Sequence, residues 1–155
     1  MIGRPRVSIT RPHLIRLLTV TARLVQEQVA ARLTPLGISY AQAVALVHLY
    51  SAPDGSVSQT DVIDSLALSR ASGTLVLSQL EAHGLISRRQ DPADARRLII
   101  SLTDDSEAIE QQVYACFEEV ENLVCRSLEP AEVEEMFNVL GRMLDNARRH
   151  RTTGG

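Results

Sequence analysis

Apolar side chains recur at Leu14, Leu18, Ala22, Val25, Val29 and Leu33. That spacing predicts a helix with one apolar face over residues 12–34. Pro35 and Gly37 end it. Ser39 then caps a second helix over 39–51, with Ala43, Leu46, Val47 and Tyr50 on its apolar positions. The tract Pro53-Asp54-Gly55 reads as a turn. Two short helices follow, 58–66 capped by Ser58 and 69–83 capped by Ser69. Asp61 suits the first N-terminus electrostatically. Only Leu66-Ala67-Leu68 joins the pair, so they must cross steeply. Gly84 falls where a left-handed C-terminal cap belongs.

The period then changes from helical to extended. Residues 85–89 and 98–102 read as two strands of a β-hairpin, with residues 90–97 as a long charged tip. After Thr103 the helical period returns through Ile109, Val113, Cys116, Phe117, Val120, Leu123 and Val124. Pro130 starts a last helix as its first residue. That helix carries Val133, Met136, Phe137, Leu140, Met143, Leu144 and Ala147, and a frayed tail is expected over 148–155. The order is four helices, a strand, a wing, a strand and two helices. The fold class is therefore mainly α with a small β-hairpin. A helix, tight turn and helix followed at once by a charged hairpin is a winged helix-turn-helix, here over residues 57–103. In that arrangement the second helix enters the major groove of double-stranded DNA and the hairpin tip reaches a neighbouring minor groove.

Composition supports helices. Hydrophobic residues make up 45% of the 155, aromatic residues only 3%, so Leu, Val, Ile and Ala must build the core. The length suits a single domain over 1–155. No apolar run approaches a membrane span. The arginine-rich start lacks an apolar stretch ending in a small-residue cleavage site, so a cytoplasmic protein is the simplest expectation. The net charge of −3 looks wrong for a DNA binder until it is divided along the chain. Residues 1–35 carry six Arg against one Glu, residues 68–103 five Arg against three acids, and residues 104–147 two Arg against twelve acids.

At this point specific motifs enter. They are Leu80-Glu81-Ala82-His83-Gly84-Leu85-Ile86, then Asp91-Pro92-Ala93-Asp94-Ala95-Arg96-Arg97, then Leu102-Thr103. In sequence and spacing they resemble the MarR family of bacterial regulators, and the element order matches over about residues 10–148. The resemblance implies a homodimer whose base is made by the terminal helices, 10–35 and 104–148, with the winged modules at the corners. It also implies a repressor of a pseudo-palindromic operator, released by a small anionic or phenolic ligand. Two departures stand out. Ala95 replaces the first of two arginines usual in the wing. Gly73 and Leu75 occupy places where the family often has Val or Thr and then Arg.

Candidate DNA contacts follow from the motif geometry. The N-terminal turns of the second helix offer Arg70, Ser72 and Thr74, with Ser69 as cap. The competing reading makes Ser69 a cap only and Arg70 a solvated charge. In the wing, Arg96 suits the negative potential of a narrow minor groove, with Asp94 either orienting it or bracing the turn and Arg97 beside it. Arg88 and Arg89 alternate across a strand, so at most one is expected to meet phosphate. The bland alternative is an ordinary solvated hairpin with a surface ion pair.

The resemblance places a ligand pocket between the dimer base and the winged module, for which His13, Arg16, Tyr40, His48 and Tyr114 are candidates. Taken one at a time, each reads more simply as an ordinary polar or half-buried residue. The four histidines and two cysteines show no metal-ligand spacing, and no cofactor motif is present. Cys116 falls on an apolar stripe, while Cys125 beside Arg126 is the cysteine open to a lowered pKa. No nucleophile motif or phosphate loop suggests an enzyme. The alternative from another class is a winged helix that docks or dimerises proteins and no longer binds DNA. Gly73 and Leu75 favour it, and the wing arginines oppose it.

Overall fold

A computed structural model describes residues 11–151 of the chain, so residues 152–155 and the first residue of the 10–35 segment lie outside the described residues, while 148–151, expected to fray, continue the last helix. The elements are α1 (Arg11–Leu33), a 3-10 turn (Thr34–Leu36), α2 (Tyr40–Tyr50), β1 (Ser56–Ser58), α3 (Gln59–Ser65), α4 (Arg70–Ala82), β2 (Ile86–Asp91), β3 (Asp94–Leu102), α5 (Asp104–Cys125) and α6 (Pro130–Arg151). Six helices and a small antiparallel sheet give the winged helix-turn-helix architecture that the apolar periods predict.

Local chemistry sets the boundaries. Gly37, in the left-handed region at φ 69°, donates its N–H to Thr34 O and closes the 3-10 turn that follows α1. Ser39 and Gln42 form a reciprocal capping box on α2. Ser58 and Ser69 each accept the N–H three residues on, which starts α3 and α4. Gly84 at φ 72° ends α4, with its N–H on Glu81 O and that of Leu85 on Leu80 O. Thr103 then ties this corner to α5. Its hydroxyl donates to Gly84 O at 2.6 Å, and its backbone N–H donates to Ser106 Oγ at 3.1 Å.

The described chain divides into two compact units, one ending at Val120 and one beginning at Glu121. The first holds the hydrophobic core. Val29 and Leu33 of α1, Leu46 and Leu49 of α2, Val62 of α3, Leu77 and Leu80 of α4, Ile100 of β3, and Val113 and Val120 of α5 are all essentially excluded from solvent. Tyr50 donates its hydroxyl to Ser106 O at 2.7 Å, and its ring lies 5.7 Å from that of Tyr114. Burial, with Glu110 and Tyr114 nearby, pushes the Tyr50 hydroxyl above its ordinary pKa, so it stays a donor. In the second unit α6 has no buried residue among those described, and Met136, Phe137, Leu140 and Leu144 stand exposed.

Three features depart from the sequence reading. The hairpin is longer and its tip shorter: the strands run to Asp91 and from Asp94, leaving only Pro92 and Ala93 as the turn. The strand β1 was not expected. It pairs with β3 through Ser56–Ser101, Val57–Ile100 and Ser58–Ile99, giving a sheet of order β1-β3-β2. Three residues with one apolar side chain carry no period, so only the partner strand reveals β1. Finally, the apolar face of α1 is buried only at its C-terminal end. Leu14 remains exposed, as do the neighbouring Ile15, Leu17, Val20 and Leu24.

Candidate nucleic-acid interface

α3 and α4 cross closely because position 73 has no side chain. A Cβ built on Gly73 would lie 2.8 Å from Ile63 Cγ2 and 2.9 Å from its Cγ1, and Gly73 is buried. The glycine therefore faces α3, not solvent, and its presence says nothing about what α4 meets on its outer side. The turn between the helices needs a second concession: Ala67 sits at φ 53°. A left-handed non-glycine residue costs about 1–2 kcal/mol.

The inner side of α4 is Gly73, Val76, Leu77 and Leu80. The opposite side exposes Ala71, Ser72, Leu75 and Gln79, and Arg70 is exposed in the first turn, at the end of the inner stripe. Hydrogen bonding sorts the four residues expected there. Ser69 accepts the Ser72 N–H and donates its hydroxyl to Ser72 Oγ at 2.9 Å, so it is the cap. Thr74 is half-buried and donates back to Arg70 O at 2.8 Å. That leaves Arg70 in the exposed first turn and the Ser72 hydroxyl proton on the open face. Ala71 and Leu75 share this face. The sequence reading passed over Ala71 and treated Leu75 only as a missing arginine, although the i, i+4 period contains both.

The two strand arginines part company. Arg88 is held against α4: its guanidinium meets Glu81 Oε2 at 2.7 Å and donates to Ser78 Oγ at 2.9 Å and Gln59 Oε1 at 3.4 Å. Its side chain is 17% exposed, so the structure gives it an internal use where a surface contact was expected. Arg89 is exposed. The alternation foreseen for this strand thus separates one inward from one outward arginine.

The wing tip is shaped by its own carboxylates. Asp91 Oδ1 accepts the Ala93 N–H at 2.8 Å, and Asp94 Oδ1 accepts the Arg96 N–H at 3.0 Å. The ladder skips between Gln90–Leu98 and Asp91–Asp94, leaving Ala95, Arg96 and Arg97 of β3 without partners in β2. Such a bulge redirects side chains. Arg97 lies 3.9 Å from Asp91 Oδ2, whereas the Arg96 side chain meets no partner among the described residues. Asp94 braces the backbone of Arg96, one of the two roles expected of it.

Of the five ligand candidates, Tyr40 and His48 lie on α2, Tyr114 on α5, and His13 and Arg16 on α1. Tyr40 packs on Phe117 with ring centroids 6.1 Å apart, and Tyr114 packs on Tyr50. Both pairs connect α2 to α5. His48 is half-buried, and its Nε2 has no hydrogen-bond partner among the described residues. His13 and Arg16 lie on the exposed N-terminal half of α1, about 20 Å along the helix from the buried Val29. Cys116 is buried and donates to Arg32 O at 3.4 Å; burial pushes its thiol pKa up, against redox reactivity. Among the described residues no group of three or more His, Cys, Asp or Glu could hold a metal ion, and no helix is long and apolar enough to cross a membrane.

Comparison with known proteins agrees with this architecture. A family model described as MarR family matches residues 36–97. An uncharacterised HTH-type transcriptional regulator of Bacillus subtilis, YdgJ, is 32% identical over 113 residues, covering 71% of this chain. The match spans 66% of that relative's own length, just under two thirds. The crystal structure of the Staphylococcus aureus MepR–DNA complex aligns with a TM-score of 0.74 at 25% identity, covering 90% of this chain and 99% of that one. The structure of Bordetella bronchiseptica BpsR, described in terms of regulation of its DNA binding by 6-hydroxynicotinic acid, aligns equally well over 92% and 99% of the two chains, also at 25% identity.

Proposed function

This chain belongs to the MarR family, and from that premise we propose that it is a dimeric repressor that grips a pseudo-palindromic operator with α4 and the wing. The observation that carries the reading is the joint presentation of an open α4 face and an unpartnered, bulge-borne Arg96 in one body built around the β1-β3-β2 sheet. Arg70 and Ser72 read or anchor in the major groove. Arg96 enters the minor groove, and Arg89 and Arg97 lie near phosphates. Arg88 holds β2 against α4 and so sets the angle of the wing. The glycine that spoke for a docking module has a packing cause, which removes half of the case for that alternative.

Arg96→Ala tests the wing. With the duplex upstream of the protein's own gene as probe, affinity should fall and the slope of log K against log salt should flatten by about one. An unchanged slope sinks the wing assignment. Arg70→Ala should instead change the ranking of duplex variants.

Dimerisation is supported by apolar side chains left open on α1 (Leu14, Ile15, Leu17, Val20 and Leu24) and, in the second unit, on α6 (Phe137 is 78% exposed). A module this small makes few contacts, and two copies on a palindrome double them. A monomer mass in sedimentation at micromolar concentration overturns this part. Release by a small anionic or phenolic ligand fits the same scheme, with Tyr40, His48 and Tyr114 as residues and BpsR as precedent. Titration of the DNA complex with 6-hydroxynicotinate and hydroxybenzoates tests it; no loss of DNA affinity with any of them removes it.

A further inference from the structure

Leu75 is the one large apolar side chain exposed between Leu24 and Leu123, at 59%. Every other large hydrophobic residue across those elements is buried or half-buried. It stands in the middle of the open face of α4, one turn beyond the exposed Ala71 and Ser72 and one turn before the exposed Gln79. The inner face of the same helix is fully engaged, so nothing in the fold requires a leucine there.

We propose that Leu75, with Ala71, is a specificity-determining contact that packs on thymine C5-methyl groups in the major groove. This rests on the DNA-binding reading above. In the major groove the thymine methyl is the apolar feature that distinguishes one base pair from another, and apolar side chains read it by contact. Ala71 and Leu75 lie about 6 Å apart along the helix axis. Base pairs rise about 3.4 Å each, so side chains that far apart can reach base pairs about two steps apart. The surroundings decide against a protein partner. A docking patch needs several hundred Å² of contiguous apolar surface, whereas Leu75 stands alone among polar and cationic groups, on the same body as the exposed Arg89 and Arg96. A single apolar contact framed by hydrogen-bond donors fits a groove floor edged by phosphates.

The experiment starts with wild-type protein and a randomised duplex pool. Each thymine of the selected site is then replaced by deoxyuridine, which removes only the methyl group. Wild type should lose about fourfold in affinity at one or two such positions, the worth of burying one methyl group. Leu75→Ala should show no loss at the position Leu75 contacts and keep any loss at the one Ala71 contacts, while Leu75→Met, which keeps an apolar reach, should retain both. Thermal melting of both variants should match wild type, since the side chain is exposed. Equal losses in wild type and Leu75→Ala, or no loss in wild type, overturn the proposal while leaving DNA binding intact. If the pool yields no bound duplex, the DNA-binding reading itself fails and this inference with it.

Discussion

α4 is held from behind, and the wing tip is held by itself. Val76, Leu77 and Leu80 sink into the core, Gly73 lets Ile63 approach, and Arg88 reaches across from β2 to Glu81. The direction of every outer side chain on α4 follows from that packing. Residues 92–97 of the wing are all exposed. Their path comes from two carboxylates accepting nearby backbone N–H groups and from a skipped ladder register. The contrast shows two ways of holding exposed side chains in a set direction. A helix face is fixed by tertiary contacts and tolerates little change behind it. A hairpin tip encodes its shape locally and can vary without disturbing the core.

The largest expected effect lies behind α4. Gly73→Ala should destabilise the protein by about 1–2 kcal/mol in urea denaturation, because overpacking against Ile63 outweighs the gain in helix propensity. Adding Ile63→Ala should uncover a favourable coupling between the two sites. Strict additivity would mean that the crossing is not limited by this contact. Next comes Ala67→Gly, which should stabilise by about 0.5–1 kcal/mol by relieving the left-handed conformation, less the entropy of glycine. A lower melting temperature would break the claim that this turn holds strain. Asp94→Ala should be smallest in stability, within about 0.5 kcal/mol. It should still weaken DNA binding, though less than Arg96→Ala, in an anisotropy titration of the same duplex. A stability loss as large as that of Gly73→Ala would show that the wing is not self-contained.

The family motif itself divides along this line. In the first segment Leu80 is core, Glu81 pairs with Arg88, Gly84 ends the helix, and Leu85 and Ile86 are buried. Those residues build the corner between α4 and β2 and leave the outer surface alone. Thr103 of the third segment fastens the same corner to α5. Only the middle segment reaches outward, through Asp94, Arg96 and Arg97. A motif that identifies the family need not therefore mark the residues that read DNA, and the open face of α4 lies outside it.

From its sequence alone this protein determined its helices, their caps, the hairpin and the outward wing arginines. Those signals are local: a period of apolar positions, a serine three residues before an N–H, a glycine past a helix end. The tertiary structure decided what depends on a neighbour. It paired β1 with β3, turned Arg88 inward to Glu81, assigned Gly73 to the crossing with α3, and left Leu75 and the N-terminal half of α1 uncovered. Each outcome turns on which surface lies opposite a residue, and periodicity along one chain carries no information about that opposing surface.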